Sequence, residues 1–482
     1  MTTLKEETGK SIIWTTLERL SVQGIQFIVS MIVARILMPS DYGLIAMITI
    51  FLSLSDAIIN GGFGMALIRK QNVKDDDYAT AFTFNVLCSI IFYSLLFFFA
   101  PYISSFYAHE KICPILRVLA LTLIINSFGI VQNTQLISKL KFKFSTKISI
   151  ISSFSSGLAS ILFAVLGFGV WTIVIQSLIY STLNTILLYH FIRWKPRFLF
   201  KKESFKYLFR FGINIQFTNI LNSIYNNIYS LIIGKYYTAT DLGLYNRGYT
   251  IAILIPNLSL GIFSKISLPI LSKIQNDNLK MQNALIKLLK VTSFIIFPAM
   301  GTLTILAAPF ISVLLSNKWI DCVLYIQIFA ITSCFIPISS LNQAIPLVKG
   351  RSDYTFKIEL IKKVISIIGI YIVLPMGIKP LAIFASAWNL GIYIADIMLT
   401  YKLINLSPIK QALICLKPIL STILMMIITA YSIAIINNNL LKLIIGGFEA
   451  IFIYLIINKY IIKNTILYEI SDYLKKMVLH KQ

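Results

Sequence analysis

Five polar side chains, Thr16, Arg19, Gln23, Gln26 and Ser30, interrupt an otherwise apolar run at spacings of 3, 4, 3 and 4. That spacing lays them along one face of a helix. The same positions plus 200 hold Gln216, Asn219, Ser223, Asn226 and Ser230. An arginine among amides and hydroxyls offers a planar fork for a carboxylate or phosphate, with donors and acceptors for a hydroxylated partner. No activated nucleophile, paired acids or glycine-rich phosphate cradle accompanies the stripes, so the chemistry they support is binding rather than bond-making. The chain is not expected to be an enzyme. Three histidines and five cysteines without paired ligand spacing lead to no expectation of a metal site or cofactor.

Charges sharpen the reading. Arg19 lies about three turns into its apolar run, with Glu18 on a neighbouring face. Asp56 sits in the middle of the second run, with Asn60 one turn on. Arg117 and Arg247 lie one or two turns into later runs, and Lys265 lies near the end of one. A polar stripe facing lipid leaves its groups without partners, which is costly in hydrocarbon, so both stripes are expected to face protein or water. The expectation is a shared cavity of net cationic character. Arg19, Arg117, Arg247, Thr16, Gln23, Gln26, Gln216, Asn219, Ser223 and Asn226 are its candidate binding residues. Glu18 and Asp56 are candidates for proton or cation coupling. Asp396 and Glu449 are isolated carboxylates, to be protonated or paired. The cargo implied is anionic and richly hydroxylated, as a phosphate-linked sugar is.

The elements that position these groups follow from hydropathy. Of 482 residues, 57% are hydrophobic and 13% charged, and the mean hydropathy is +0.80. Apolar runs approach the roughly 20 residues that cross a bilayer core. They predict an all-helical polytopic membrane protein with about fourteen spans, at about 11–36, 43–67, 79–104, 112–137, 147–167, 170–192, 212–234, 243–271, 286–308, 322–347, 360–376, 381–401, 413–436 and 440–458. The first run is long enough to remain as a span, and no signal peptide is expected. Of the 43 Lys and Arg, only Arg35, Lys111, Lys235, Lys318, Lys379 and Lys442 fall outside when both termini are cytoplasmic. That bias sets the orientation. It also accounts for the net charge of +24 through anionic head groups, without nucleic acid.

The offset of 200 extends beyond the stripes. Arg35 aligns with Lys235, Asp41 with Asp241, Gly43 with Gly243 and Leu44 with Leu244. Later the offset becomes 210, pairing Ala120 with Ala330, Arg117 with Gln327, Gln132 with Asn342 and Asn133 with Gln343. Spans 1–6 and 7–12 therefore read as repeats of one orientation, related by a pseudo-two-fold axis along the membrane normal. The expected organisation is a six-helix bundle over 1–200, a second over 201–405, and two added helices with a tail over 406–482. A basic, aromatic-rich cytoplasmic linker beginning near 193 joins the bundles.

The stretches "LSVQGIQFIVSMIVARILMPSDYGLIAM", "GGFGMALIRK", "LGFGVWTIVIQS" and "YNNIYSLIIGKYYTATDLGLYNRGY" carry a resemblance over spans 1 to about 12. The chain resembles Wzx-type polysaccharide or O-antigen flippases of the multidrug/oligosaccharidyl-lipid/polysaccharide (MOP) exporter superfamily. That resemblance implies two six-helix bundles around a central cavity. It also implies outward flipping of undecaprenyl-pyrophosphate-linked oligosaccharides across the bacterial cytoplasmic membrane, for O-antigen, capsule or exopolysaccharide. The partners it implies are the lipid-linked substrate, membrane lipids, a coupling proton or sodium ion, and a polysaccharide polymerase complex. Related peptidoglycan-precursor flippases use cavity arginines on helices equivalent to spans 1, 2 and 8. Arg19 and Arg247 match two of these, whereas span 2 offers Asp56. The rivals are a drug or metabolite antiporter of the same superfamily, which wants carboxylates deepest in its cavity, and a membrane-embedded polymerase. The latter usually carries a large outer loop with catalytic charges, while the longest here, about 309–321, holds one carboxylate and one lysine.

Overall fold

The computed structural model describes residues 2–192 and 194–462; the side chains of 2–13, 15, 16, 214, 262, 264–266 and 352 fall outside the described residues. The Thr16 and Lys265 side chains, read above as polar groups, are therefore outside them. The described chain forms helices that divide into two compact units after Gly243. The first contains α1 (Thr2–Ile36), α2 (Pro39–Asn60), α3 (Phe63–Arg69), α4 (Asp75–Tyr107), α5 (Ile112–Leu119), α6 (Leu121–Ser138), α7 (Phe142–Val165), α8 (Trp171–Phe191) and α9 (Lys202–Tyr236). The second contains α10 (Ala239–Lys273), whose first turn belongs to the first unit, then α11 (Asn278–Leu314), α12 (Cys322–Ser333), α13 (Phe335–Val348), α14 (Ser352–Val373), α15 (Ile378–Ile404), α16 (Pro408–Ala434) and α17 (Asn439–Ile456).

Among the described residues, eleven helical stretches are long and apolar enough to cross a membrane. The other three of the fourteen expected spans coincide with α9, α10 and α14. α9 carries the second polar stripe, and α14 carries Asp353, Lys357, Glu359, Lys362 and Lys363 between its start and its middle. Helix boundaries repeat at the offsets seen in the sequence. α1 and α9 end at Ile36 and Tyr236, and α2 and α10 begin at Pro39 and Ala239. α5 and α12 begin at Ile112 and Cys322, and α6 and α13 end at Ser138 and Val348. The compact units do not divide at the repeat joint near 200, because α9 packs against α2, α3 and α4 of the first unit.

Glycines set the closest approaches in the first unit. A Cβ on Gly43 would stand 1.7 Å from the Ala239 carbonyl oxygen, and one on Gly243 would stand 1.9 Å from that of Pro39. The repeated Asp-x-Gly-Leu segments therefore lie backbone to backbone. Each aspartate also caps its own helix: Asp41 Oδ2 accepts from Met38 N at 3.0 Å, and Asp241 Oδ2 accepts from Thr238 Oγ1 at 2.7 Å. At the other end of α2 the chain breaks at Gly61 and Gly62, with φ of 56° and 67°. Such left-handed geometry suits glycine. A Cβ on Gly212 of α9 would meet the Gly61 oxygen at 2.4 Å. The expected second span is thus two helices, α2 and α3, rather than one.

Leu285, Leu289, Ile296, Ile338, Leu341, Ile345 and Ile397 are buried in the core of the second unit, built from α11, α13 and α15. α16 and α17 pack on α11, where Tyr454 Oη donates to the Phe294 oxygen at 3.0 Å. Both isolated carboxylates find partners here. Glu449 Oε2 accepts from Ser432 Oγ at 2.5 Å. Asp396, 3% exposed, pairs with Lys362 Nζ at 2.5 Å, accepts from Gln343 Nε2 at 3.0 Å, and is hydrogen-bonded by Ser339 Oγ. Lys362 is buried, and its ammonium also reaches Glu359 at 3.0 Å.

Two outcomes follow from these contacts. Gly43→Ala forces the helix crossing apart or the backbone to shift, at a cost of about 1–3 kcal/mol or more. Detergent melting should show a lowered midpoint for it and none for Gly24→Ala, where the added Cβ meets nothing within 4 Å. Lys362→Met leaves the buried Asp396 charge unpaired, costing about 3–5 kcal/mol. Adding Asp396→Asn, which keeps a polar partner for Ser339 and Gln343, should restore most of the folded yield in the same assay.

Candidate substrate cavity

A polar cavity of about 660 Å³ in the first unit is walled by α1, α2, α6, α7 and α8. From α1 come Glu18, Arg19, Gln23 and Gln26; from α2, Asp56 and Asn60. α6 adds Asn126 and Asn133, α7 adds Ser145 and Ser149, and α8 adds Tyr180, Asn184 and Thr185. Each wall presents its polar groups near multiples of a helical turn, the spacing that identified the first stripe. The stripes on α6, α7 and α8 were legible in the same way, but Ser- and Thr-rich surroundings dilute them. α1 stands where its stripe can serve because it packs along α7, with Val29 against Gly157.

Partners separate held groups from open ones. Glu18 Oε1 accepts from Ser149 Oγ at 2.8 Å and from Ser145 Oγ at 3.1 Å, which fixes this carboxylate on α7. Asn60 Nδ2 donates to the Asp56 carbonyl oxygen at 2.9 Å. Arg19 is exposed in the cavity and has no ion pair or hydrogen bond among the described residues. Gln23 Oε1 is buried and has no hydrogen-bond donor among the described residues. An unpaired guanidinium and an unmet amide oxygen on one wall suit an anion carrying hydroxyl donors.

The lining of this first-unit cavity carries one guanidinium and two carboxylates, whereas net cationic character was expected of a cavity shared by both stripes. The missing cations are held by aromatic rings elsewhere. Arg117 lies 4.3 Å from the Phe97 ring centroid, and its Nε donates to the Phe97 oxygen at 3.2 Å. Its repeat mate Gln327 likewise donates to a carbonyl of the preceding helix, that of Thr304, at 3.2 Å. Arg117 thus bridges α5 to α4, as Gln327 bridges α12 to α11. Arg247, on α10 in the second unit, is buried, with its guanidinium 5.7 Å from the Trp319 ring centroid.

The second stripe does not line this cavity. Gln216 Nε2 donates to the Ile58 oxygen at 3.3 Å, and Ser223 Oγ to Ser53 Oγ at 3.0 Å. Asn227, one position off the stripe, donates to the same Ser53 oxygen at 3.1 Å. These bonds knit α9 to α2, while Asn219 and Asn226 are exposed. Sequence reasoning missed Ser53 and Asn227, whose meaning appears only when α9 is docked on α2.

The chain matches the family model described as "Polysaccharide biosynthesis protein" over residues 32–324. It is 24% identical over 347 residues to the teichuronic acid biosynthesis protein TuaB of Bacillus subtilis (strain 168), covering 71% of each chain. It is 23% identical over 365 residues to the lipopolysaccharide biosynthesis protein WzxC of Escherichia coli (strain K12), covering 74% of this chain and 73% of the relative. Its fold superposes on the lipid II flippase MurJ in an inward closed conformation with a TM-score of 0.76 at 17% identity, covering 94% of this chain and 100% of MurJ. A helical, multi-pass membrane chain that matches this family over more than half its length belongs to the polysaccharide biosynthesis protein family, and the Wzx-type resemblance read from its sequence holds.

Proposed function

We propose that the protein flips undecaprenyl-pyrophosphate-linked oligosaccharide repeat units from the cytoplasmic to the outer face of the bacterial cytoplasmic membrane, with both termini cytoplasmic. The units would feed O-antigen, capsule or exopolysaccharide synthesis, with a polysaccharide polymerase as partner. The observation that carries this reading is the open Arg19 guanidinium within a cavity of amides and hydroxyls. The sugar–pyrophosphate head enters this cavity while the lipid tail stays in the bilayer. Arg19 takes the pyrophosphate oxygens as a planar fork. Gln23, Gln26, Asn60, Asn126, Asn133 and Asn184 replace water around the sugar hydroxyls. The volume lies within the roughly 300–1,000 Å³ of small-ligand sites, so the cavity holds the head and the first sugars rather than a long chain. Two bundles, 1–200 and 201–405, would alternate access by moving against each other, with 406–482 as an addition.

The energetics favour outward movement of an anion. Carrying negative charge out across an inside-negative potential releases about 2.3 kcal/mol per charge per 100 mV. Two carboxylates in the cavity favour a second reading, coupling to a proton or sodium ion, or drug antiport. Asp56 is the better carrier of the two, because Glu18 is already held by Ser145 and Ser149.

Arg19→Ala, expressed at normal levels, should reduce surface polysaccharide at least tenfold, about 1.4 kcal/mol or more of lost binding. Lipid-linked repeat units should accumulate on the cytoplasmic face. Arg19→Lys should retain part of the activity, since an ammonium keeps the charge but not the fork. Normal polymer from Arg19→Ala would defeat the flippase reading and leave the antiporter.

A further inference from the structure

A second cavity of about 500 Å³ opens in the first unit, where the N-terminus of α4 meets the C-terminal ends of α6 and α8. Its walls include Lys139, Lys141, Gln135, Asp75, Tyr78 and Trp194. The two lysines flank Leu140, whose φ of 54° is the left-handed geometry that a helix end normally gives to glycine. Lys139 N donates to the Gln135 oxygen at 3.1 Å and Lys141 N to the Leu136 oxygen at 2.9 Å, closing the turn. Adopting this conformation costs a non-glycine residue about 1–2 kcal/mol.

The molecule contains its own comparison 210 residues later. Lys349, Gly350 and Arg351 form the same turn, with φ of 69° at Gly350 and backbone bonds of 3.0 Å and 2.8 Å. There both cations are used by the protein. Lys349 Nζ donates to the Gln275 oxygen and to Asn278 Oδ1, each at 2.7 Å. Arg351 holds Asp353 through two bonds of 3.0 and 3.1 Å. In the first unit neither the Lys139 nor the Lys141 ammonium has an ion pair or hydrogen bond among the described residues. Gln135 on the same wall is 3% exposed, and its side-chain amide also lacks a protein partner there.

We infer that this cavity is a binding site for the phosphate group of a lipid head, taken by Lys139 and Lys141. Ammonium groups suit phosphate as point charges, and basic pockets between spans are where anionic lipid heads bind. Tyr78 and Trp194, with ring centroids 6.1 Å apart, provide the amphipathic aromatic edge that favours the interface. Asp75 accepts from a hydroxyl on the far side of the head, and Gln135 satisfies its amide there. The cavity is distinct from the Arg19 cavity and needs only the membrane location, so it stands apart from the flippase reading. Two lipids carry such a phosphate, a bulk anionic phospholipid and the pyrophosphate carrier of lipid-linked sugars.

The full-length protein is reconstituted in phosphatidylcholine vesicles with increasing brominated phosphatidylglycerol. Quenching assigned to Trp194 is the part lost in Trp194→Phe. The wild type should show preferential quenching by brominated phosphatidylglycerol over brominated phosphatidylcholine. Lys139→Gln with Lys141→Gln should weaken that preference roughly 30-fold, at about one interfacial charge each. Lys349→Gln with Arg351→Gln should leave it unchanged. Displacement of the brominated lipid by traces of undecaprenyl pyrophosphate would assign the site to the sugar carrier, and resistance to it would assign the site to bulk phospholipid. Equal quenching by brominated phosphatidylcholine, an unaltered double lysine variant, or full displacement by free inorganic pyrophosphate would overturn the proposal.

Discussion

The backbone-to-backbone contact at Gly43 and Gly243 fixes α2, and much of the first unit depends on where α2 stands. With carbonyls of Ala239 and Pro39 where Cβ atoms would otherwise be, the start of α2 lies against the 239–243 turn at a distance that only glycine allows. Gly61, Gly62 and Gly212 pin its other end in the same manner. Between these pins Ser53 and Ile58 meet α9 through hydrogen bonds, while Asp56 and Asn60 line the cavity. One helix therefore serves as partition and as lining. Its polar groups are paired with α9, bonded back to α2's own backbone, as Thr49 and Ser55 are, or given to the cavity, since hydrocarbon leaves a buried polar group no other partner.

Much of this was legible in the sequence, for a physical reason. Helical periodicity is local, so the face bearing Arg19, Gln23 and Gln26 could be read from α1 alone. The repeat was legible because the offsets of 200 and 210 recur in the helix boundaries themselves. What could not be read was which surface a polar face would meet. The α9 stripe has the same spacing as the α1 stripe, yet Gln216 and Ser223 bond to α2. Arg117 is drawn from the cavity by Phe97, twenty residues away and on another helix. Lys362 and Asp396 are 34 residues apart, and only packing of α14 on α15 shows that they neutralise each other. The break in the second span lies at Gly61-Gly62, and the approach of Gly212 to it could be seen only once α9 was in place.

Charge in the first cavity has a kinetic meaning. A lining of several arginines would bind a pyrophosphate tightly in every conformation, and binding that is equal in all states moves no equilibrium. A single open guanidinium beside two carboxylates gives a weaker and more directional grip. Glu18 and Asp56 lower the net field, whereas Arg19 supplies a planar fork suited to phosphate oxygens. Under the proposed function, such a site would recognise its cargo by geometry and amide contacts, and would release it when those contacts separate.

The two units use equivalent positions in opposite ways. Asn133 opens onto the first cavity, whereas its repeat mate Gln343 donates to the buried Asp396. Lys139 and Lys141 face an open cavity, whereas Lys349 and Arg351 are held by Asn278 and Asp353. Arg117 and Gln327, in contrast, do the same work in both, bridging a helix to the one before it. The repeat thus preserves the bonds that hold neighbouring helices together and varies the groups that remain free. Free polar groups in a membrane chain are stable only where water or cargo can reach them. Their concentration in the walls of the first unit's cavities makes those walls the candidate binding surfaces, and the self-paired equivalents give the second unit internal bonds instead of open groups at those positions.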